Sequence, residues 1–141
     1  MSPMSPMLPP VLALIGLSLV IWLLTLVTRL PAIAASGLNI RALRFPEELA
    51  KLPDTPRQIA NNYNHLMEQP TIFYAMVFYI VFAGHANVVN VYLAWAYVAS
   101  RAVHSVIQCT VNRIELRLPT FIVSTLFLVT LAVREALALP H

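Results

Sequence analysis

Between Gln69 and Ser100 the chain carries no Asp, Glu, Lys or Arg, and a second charge-free run extends from Leu8 to Thr28. A helix rising about 1.5 Å per residue crosses the roughly 30 Å of bilayer hydrocarbon in about 20 residues. The first run is too long for one crossing, and Gly84-His85-Ala86-Asn87 near its middle reads as a turn, so it folds back as a tight helical hairpin. The second run is one span, closed by Arg29 and Pro31. Hydrophobic residues make up 59% of the chain and charged residues 11%. Soluble domains run at about a quarter charged, so this composition fits a bilayer better than water.

The remaining helices follow from local signals. Thr55-Pro56-Arg57-Gln58 has the pattern of a capping box with proline at the first helical position, which starts a helix near Pro56. Arg113, Glu115, Arg117 and Pro119 mark a short connection before the apolar run that begins at Leu118. The expected fold is an all-α integral membrane protein, one domain over 1–141, built as an up-down bundle of four transmembrane helices. Their expected extents are about 8–30, 56–84, 87–112 and 118–138. Residues 31–55 form a loop with one interfacial turn, since Gly37, Pro46 and Pro53 lie among Arg41, Arg44, Glu47, Glu48, Lys51 and Asp54. The start of the chain lacks a positive segment and its apolar run exceeds a signal-peptide core, so the first helix reads as a retained span.

Arg29, Arg41, Arg44, Lys51 and Arg57 flank the first loop and Arg113 and Arg117 the third, whereas the turn at His85 has no Lys or Arg. The positive-inside rule then places both basic loops in the cytoplasm and both termini outside a cell (inner) membrane. Arg134-Glu135 marks the outer headgroup boundary. The net charge of +3 is dispersed, with no basic run interleaved with aromatics, which argues against nucleic acid as a partner. A lone cysteine, Cys109, excludes an internal disulfide or CxxC pair and reads as a small buried apolar residue.

The polar residues of the second and third helices stand out against this background. Counted outward from His85, Glu68 and Arg101 lie at nearly equal distance, as do His65 with His104 and Asn61 with Gln108. An antiparallel hairpin sets each pair at one depth. Arg101, His104 and Gln108 follow an i, i+3, i+7 series, and Asn61, Asn64 or His65, and Glu68 follow the same series on the other helix. Ionisable side chains inside a bilayer cost a few kcal/mol each, so they face a partner, a cavity or a ligand. Two readings stay open: a ligand site, or a structural Glu68–Arg101 ion pair that fixes helix register or an oligomer interface. His65, Glu68 and His104 offer three metal ligands without an HExxH arrangement, so no metal is assigned.

The segment Asn61-Asn62-Tyr63-Asn64-His65-Leu66-Met67-Glu68-Gln69-Pro70-Thr71-Ile72-Phe73-Tyr74 resembles the Asn-x-x-Glu signature, followed by proline and aromatics, of the MAPEG family. These are membrane-associated proteins in eicosanoid and glutathione metabolism. Arg101-x-x-His104-x-x-x-Gln108, then Arg113 and Arg117, is similar to the spacing in the family's prostaglandin synthases. The resemblance implies a homotrimer that holds glutathione between protomers near the cytoplasmic face and admits a membrane lipid or another lipophilic small molecule from the bilayer. It implies a transferase or peroxidase acting on a lipophilic electrophile. Arg57, Arg101, Arg113 and Arg117 would hold glutathione carboxylates and Glu68 its ammonium, with Asn61, His65, His104 and Gln108 as further binding residues. Arg117 takes the family position beside the reactive sulfur, where a guanidinium raises the thiolate fraction. Three positions depart from the pattern: His65 replaces the usual asparagine, Gln108 a ligand-binding tyrosine and Leu118 a serine. They keep two alternatives open, a non-catalytic lipid-binding or scaffold protein of the same fold and a structural subunit of a larger membrane complex.

Overall fold

The computed structural model describes residues 4–38 and 46–139. They form four helices, α1 (Leu8–Ala35), α2 (Asp54–Phe82), α3 (Val88–Cys109) and α4 (Ile114–Leu137), with a 3-10 turn at Pro46–Lys51. α3 packs most extensively on α4, and α1 on α2. Arg41 and Arg44, part of the basic charge of the first loop, lie outside the described residues.

The bundle exposes many apolar side chains around an apolar core that also holds polar groups. α1 turns Ser18 and Thr25 inward, where their hydroxyls donate to the Leu14 and Ile21 carbonyls at 3.0 and 2.9 Å. The same helix leaves Leu12, Leu19, Leu23 and Val27 exposed, and α4 leaves Leu126, Val129 and Val133 exposed. Apolar faces outside with hydroxyls turned inward suit a hydrocarbon solvent, because only the interior offers hydrogen-bond partners. α1 and α4 are each long and apolar enough to cross a membrane.

α2 buries Pro56, Ile59, Asn62, Leu66, Pro70, Phe73, Val77 and Ile80, a single stripe at three- and four-residue spacing. Phe73 stacks on Tyr97 of α3 with ring centroids 4.5 Å apart and an interplanar angle of 12°. Aromatic contact of this kind fixes the azimuth of α2 against α3.

Several helix ends differ from the sequence expectation. α1 runs on through Pro31 to Ala35, because a proline forfeits one backbone bond and a membrane helix tolerates that loss. α2 begins at Asp54 with Pro53 at the N-cap and no side-chain cap bond, so the Thr55 capping box does not form. α4 starts at Ile114, ahead of the expected Leu118, and takes in Pro119 in its second turn. Arg117 therefore belongs to the first turn of α4 and not to the connection. The α2–α3 turn lies where the sequence places it: Gly84 supplies a left-handed φ of +74°. Asn87 caps α3 by accepting from the Asn90 amide at 3.0 Å.

Glu135 is turned into the bundle and is 4% exposed. Its carboxylate lies 2.6 Å from His85 Nδ1 and accepts from Asn90 Nδ2 at 2.8 Å, tying the α2–α3 turn to the end of α4. Arg134 Nε donates to Asn90 Oδ1 at 3.1 Å. A buried donor stripped of its acceptor costs about 1–3 kcal/mol. Glu135→Ala should therefore lower the thermal midpoint of the detergent-solubilised protein, and Glu135→Gln, which keeps an acceptor for Asn90, should lower it less. Equal midpoints for the wild type and Glu135→Ala would show that the tie contributes nothing.

Candidate functional site

The second half of α3 buries mostly polar side chains on the face where Ala94, Tyr97 and Val98 lie. Arg101, His104, Ser105 and Gln108 continue the buried stripe begun by Asn90, Ala94 and Tyr97. Arg101 is 0% exposed. Its Nη2 donates to the His65 carbonyl of α2 at 2.9 Å, and its guanidinium carbon lies 5.9 Å from the centre of the Phe121 ring. Among the described residues, its Nε and Nη1 meet no acceptor.

His104 lies one turn further on. Its Nδ1 is 3.1 Å from the Arg117 carbonyl and 3.1 Å from Thr120 Oγ1, and its Nε2 is 3.1 Å from the Gln108 amide. A carbonyl only accepts, so Nδ1 carries a proton and donates to it. The ring thereby links α3 to the first turn of α4 and sets where Arg117 starts. The Arg117 guanidinium donates through Nη1 to Asn112 Oδ1 at 2.8 Å, while its buried Nε meets no acceptor among the described residues. Below this layer, Asn62 accepts from the Ser105 hydroxyl at 3.2 Å and donates to Cys109 Sγ at 3.3 Å. Gln58 Nε2 donates to the Cys109 carbonyl at 3.0 Å and so closes the end of α3 onto α2.

Of the residues expected from sequence, the fold brings together Arg101, His104, Gln108, Arg117 and His65. The His65 and His104 rings meet edge to face with centroids 6.2 Å apart, as equal depth requires. The Glu68–Arg101 pair does not form. Glu68 has a side chain 69% exposed and lies 3.5 Å from His65 Nδ1. The Asn61–Gln108 layer does not form either, since Asn61 is exposed and Asn62 takes the inward place. Depth counting fixes the height of a residue and leaves its azimuth open. The Ile59, Leu66 and Phe73 stripe puts Glu68 about 200° from Leu66, on the outward face of α2. Arg57 shares that outward face, 3.3 Å from Asp54, and Arg113 is exposed at the N-cap of α4.

The sequence reading passed over Asn62, Ser105, Asn112, Thr120 and Phe121. Asn62 and Ser105 carry a signal, since both fall on the apolar stripe of their helices. Asn112, Thr120 and Phe121 carry none, because they reach the site only through the earlier start of α4. The assembled layer holds two guanidinium groups and no carboxylate, with buried N–H groups left over. Buried donors without an acceptor cost free energy, which an acceptor brought to them would recover.

A sequence model of the MAPEG family matches residues 7–137, nearly the whole chain. No curated protein and no solved structure matches the chain significantly. The family is membrane-integral and its members generally use glutathione and form trimers; the exposed apolar faces of α1 and α4 agree with the membrane setting. The chain belongs to the MAPEG family.

Proposed function

We propose that the protein is a four-span membrane enzyme, assembled as a homotrimer, that joins the thiol of glutathione to a lipophilic electrophile or reduces such a substrate with it. The observation that carries this reading is the buried Arg101 guanidinium, two of whose nitrogens, Nε and Nη1, meet no acceptor among the described residues, one turn from His104. The two donors lie on different edges of the guanidinium, so glutathione, which has two carboxylates, answers each with a separate charge-assisted bond. Glutathione supplies a thiol nucleophile. Arg117 holds the sulfur as thiolate, His104 fixes the backbone from which Arg117 projects, and Gln108 orients His104. Closure of the layer between helices excludes water and strengthens each of these interactions.

Trimer assembly is supported by the outward face of α2. Arg57, Asn61, Asn64, Glu68, Thr71, Ala75 and Phe78 are exposed and recur at alternating four- and three-residue spacing. That is the spacing of a helix–helix seam, and hydrocarbon is a poor solvent for its polar half. A neighbouring protomer covering the seam brings Arg57, Asn61 and Glu68 to the edge of the glutathione site, where Glu68 meets the ammonium and Arg57 a carboxylate. Arg113 serves the same anion from the connection before α4. The spans of α2 and α3, with the first and third loops on the cytoplasmic side and both termini outside, complete the arrangement in the cell membrane.

Conjugation of glutathione to a generic aryl halide by the purified protein tests the chemistry. The expected result is a rate above the uncatalysed one that saturates with glutathione; a rate equal to the uncatalysed one, with glutathione bound, leaves a binding protein only. That second reading has an observation of its own. A groove of about 400 Å³ between α1 and α2, lined by Trp22, Tyr63, Met67 and Tyr74 among others, accommodates an acyl chain without any reactive group beside it.

A further inference from the structure

The connection between α3 and α4 contains the one non-glycine residue with a left-handed backbone among the described residues, Asn112 at φ +52°. Its amide donates to the Ile107 carbonyl at 2.8 Å and closes the end of α3, so the unusual conformation is part of how the helix terminates. Asparagine is, after glycine, the residue that enters this region most readily. Helix termination explains the backbone. It does not explain the side chain, which reaches across the connection to accept from Arg117 Nη1 at 2.8 Å.

A guanidinium is a planar fork with donors on fixed edges. Occupation of Nη1 by Asn112 stops rotation of the group and leaves the opposite edge, Nε with Nη2, to be presented elsewhere. Nε is the very atom that lies buried without an acceptor among the described residues. The Arg117 main chain is held at the same time, because its carbonyl accepts from His104 Nδ1 at 3.1 Å. Backbone and head group are thus each fixed by a separate contact, from α3 and from the connection. A neutral amide oxygen suits this task, since it orients the guanidinium without cancelling its charge.

We infer that Asn112 is a positioning residue, which aims the Nε edge of Arg117 at the sulfur of bound glutathione and so sets how readily the thiolate forms. This rests on the reading of Arg117 as the group beside the thiolate, and it adds a residue of the connection to the site.

The test follows the ultraviolet absorbance of thiolate against pH with glutathione bound to the intact, detergent-purified protein. Asn112→Gly keeps the left-handed backbone and removes only the amide. It is expected to raise the pH midpoint of thiolate formation by about one unit, equivalent to a roughly tenfold smaller thiolate fraction below the midpoint. Glutathione affinity by calorimetry below the pH midpoint, where the thiol form is bound, should change by less than about threefold, under the tenfold step of about 1.4 kcal/mol expected on loss of a direct ligand contact. Asn112→Asp, which adds a negative charge against Arg117, should raise the midpoint further. A wild-type midpoint in Asn112→Gly overturns the positioning role, and if Arg117→Ala still shifts it, the functional reading survives that failure. A wild-type midpoint in Arg117→Ala, or no glutathione bound by the wild type, overturns the functional reading and this inference with it.

Discussion

Replacement of Arg101 by methionine is expected to weaken glutathione binding at least about 100-fold while leaving the thermal midpoint of the ligand-free protein unchanged or higher. The two halves of this expectation have one cause. Among the described residues Arg101 makes a single hydrogen bond and buries two further donor nitrogens, Nε and Nη1, that find no acceptor. Leaving such groups unanswered costs stability, and removing a buried charge in favour of a well-packed apolar side chain of similar length is often neutral or stabilising. A ligand carboxylate gains what the fold forgoes. Two charge-assisted bonds at about 1.5–3 kcal/mol each amount to a loss of roughly two decades or more in affinity. Calorimetry with glutathione measures the first half and differential scanning the second. A marked fall of the midpoint, with affinity retained, would identify Arg101 as a structural residue and return the cluster to the reading of helix glue.

The second large effect concerns chemistry. Arg117→Ala should reduce the conjugation rate at saturating glutathione by about 10²–10³-fold, the range found when one preorganised donor to a developing or resident anion is removed. Binding should weaken far less, because Arg101 and the outward residues of α2 remain. The thiolate absorbance of bound glutathione should disappear at neutral pH. Loss of affinity equal to the loss of rate would mean that Arg117 binds a carboxylate and that the sulfur lies elsewhere.

What the sequence reveals and what it hides separate along physical lines. The hairpin at His85 is legible because a charge-free run longer than one membrane crossing has to turn, and glycine and asparagine mark where. Equal depth of His65 and His104 is legible because the rise per residue is fixed. The azimuth is legible only from the apolar stripe of α2 and not from the polar residues, since Asn61 and Asn62 are adjacent and either phase gives a polar residue at that height. Only the packing of Ile59, Leu66 and Phe73 decides that Asn62 points in and Glu68 points out. The prolines misled in the same way at both ends of the chain. Pro31 and Pro119 read as helix ends by rules drawn from water, yet both lie within helices. The earlier start of α4 then carries Arg117 into its first turn and brings Thr120 and Phe121 against α3. The unanswered donors of Arg101 and Arg117 are invisible in the sequence, because hydrogen-bond satisfaction is a property of the assembled helices alone.

The central claim is that this cationic layer exists to hold glutathione. Isothermal titration of the detergent-purified protein with glutathione tests it most directly. The account predicts saturable heat at or below millimolar glutathione, lost in Arg101→Met. The absence of any binding heat at millimolar concentration would contradict it.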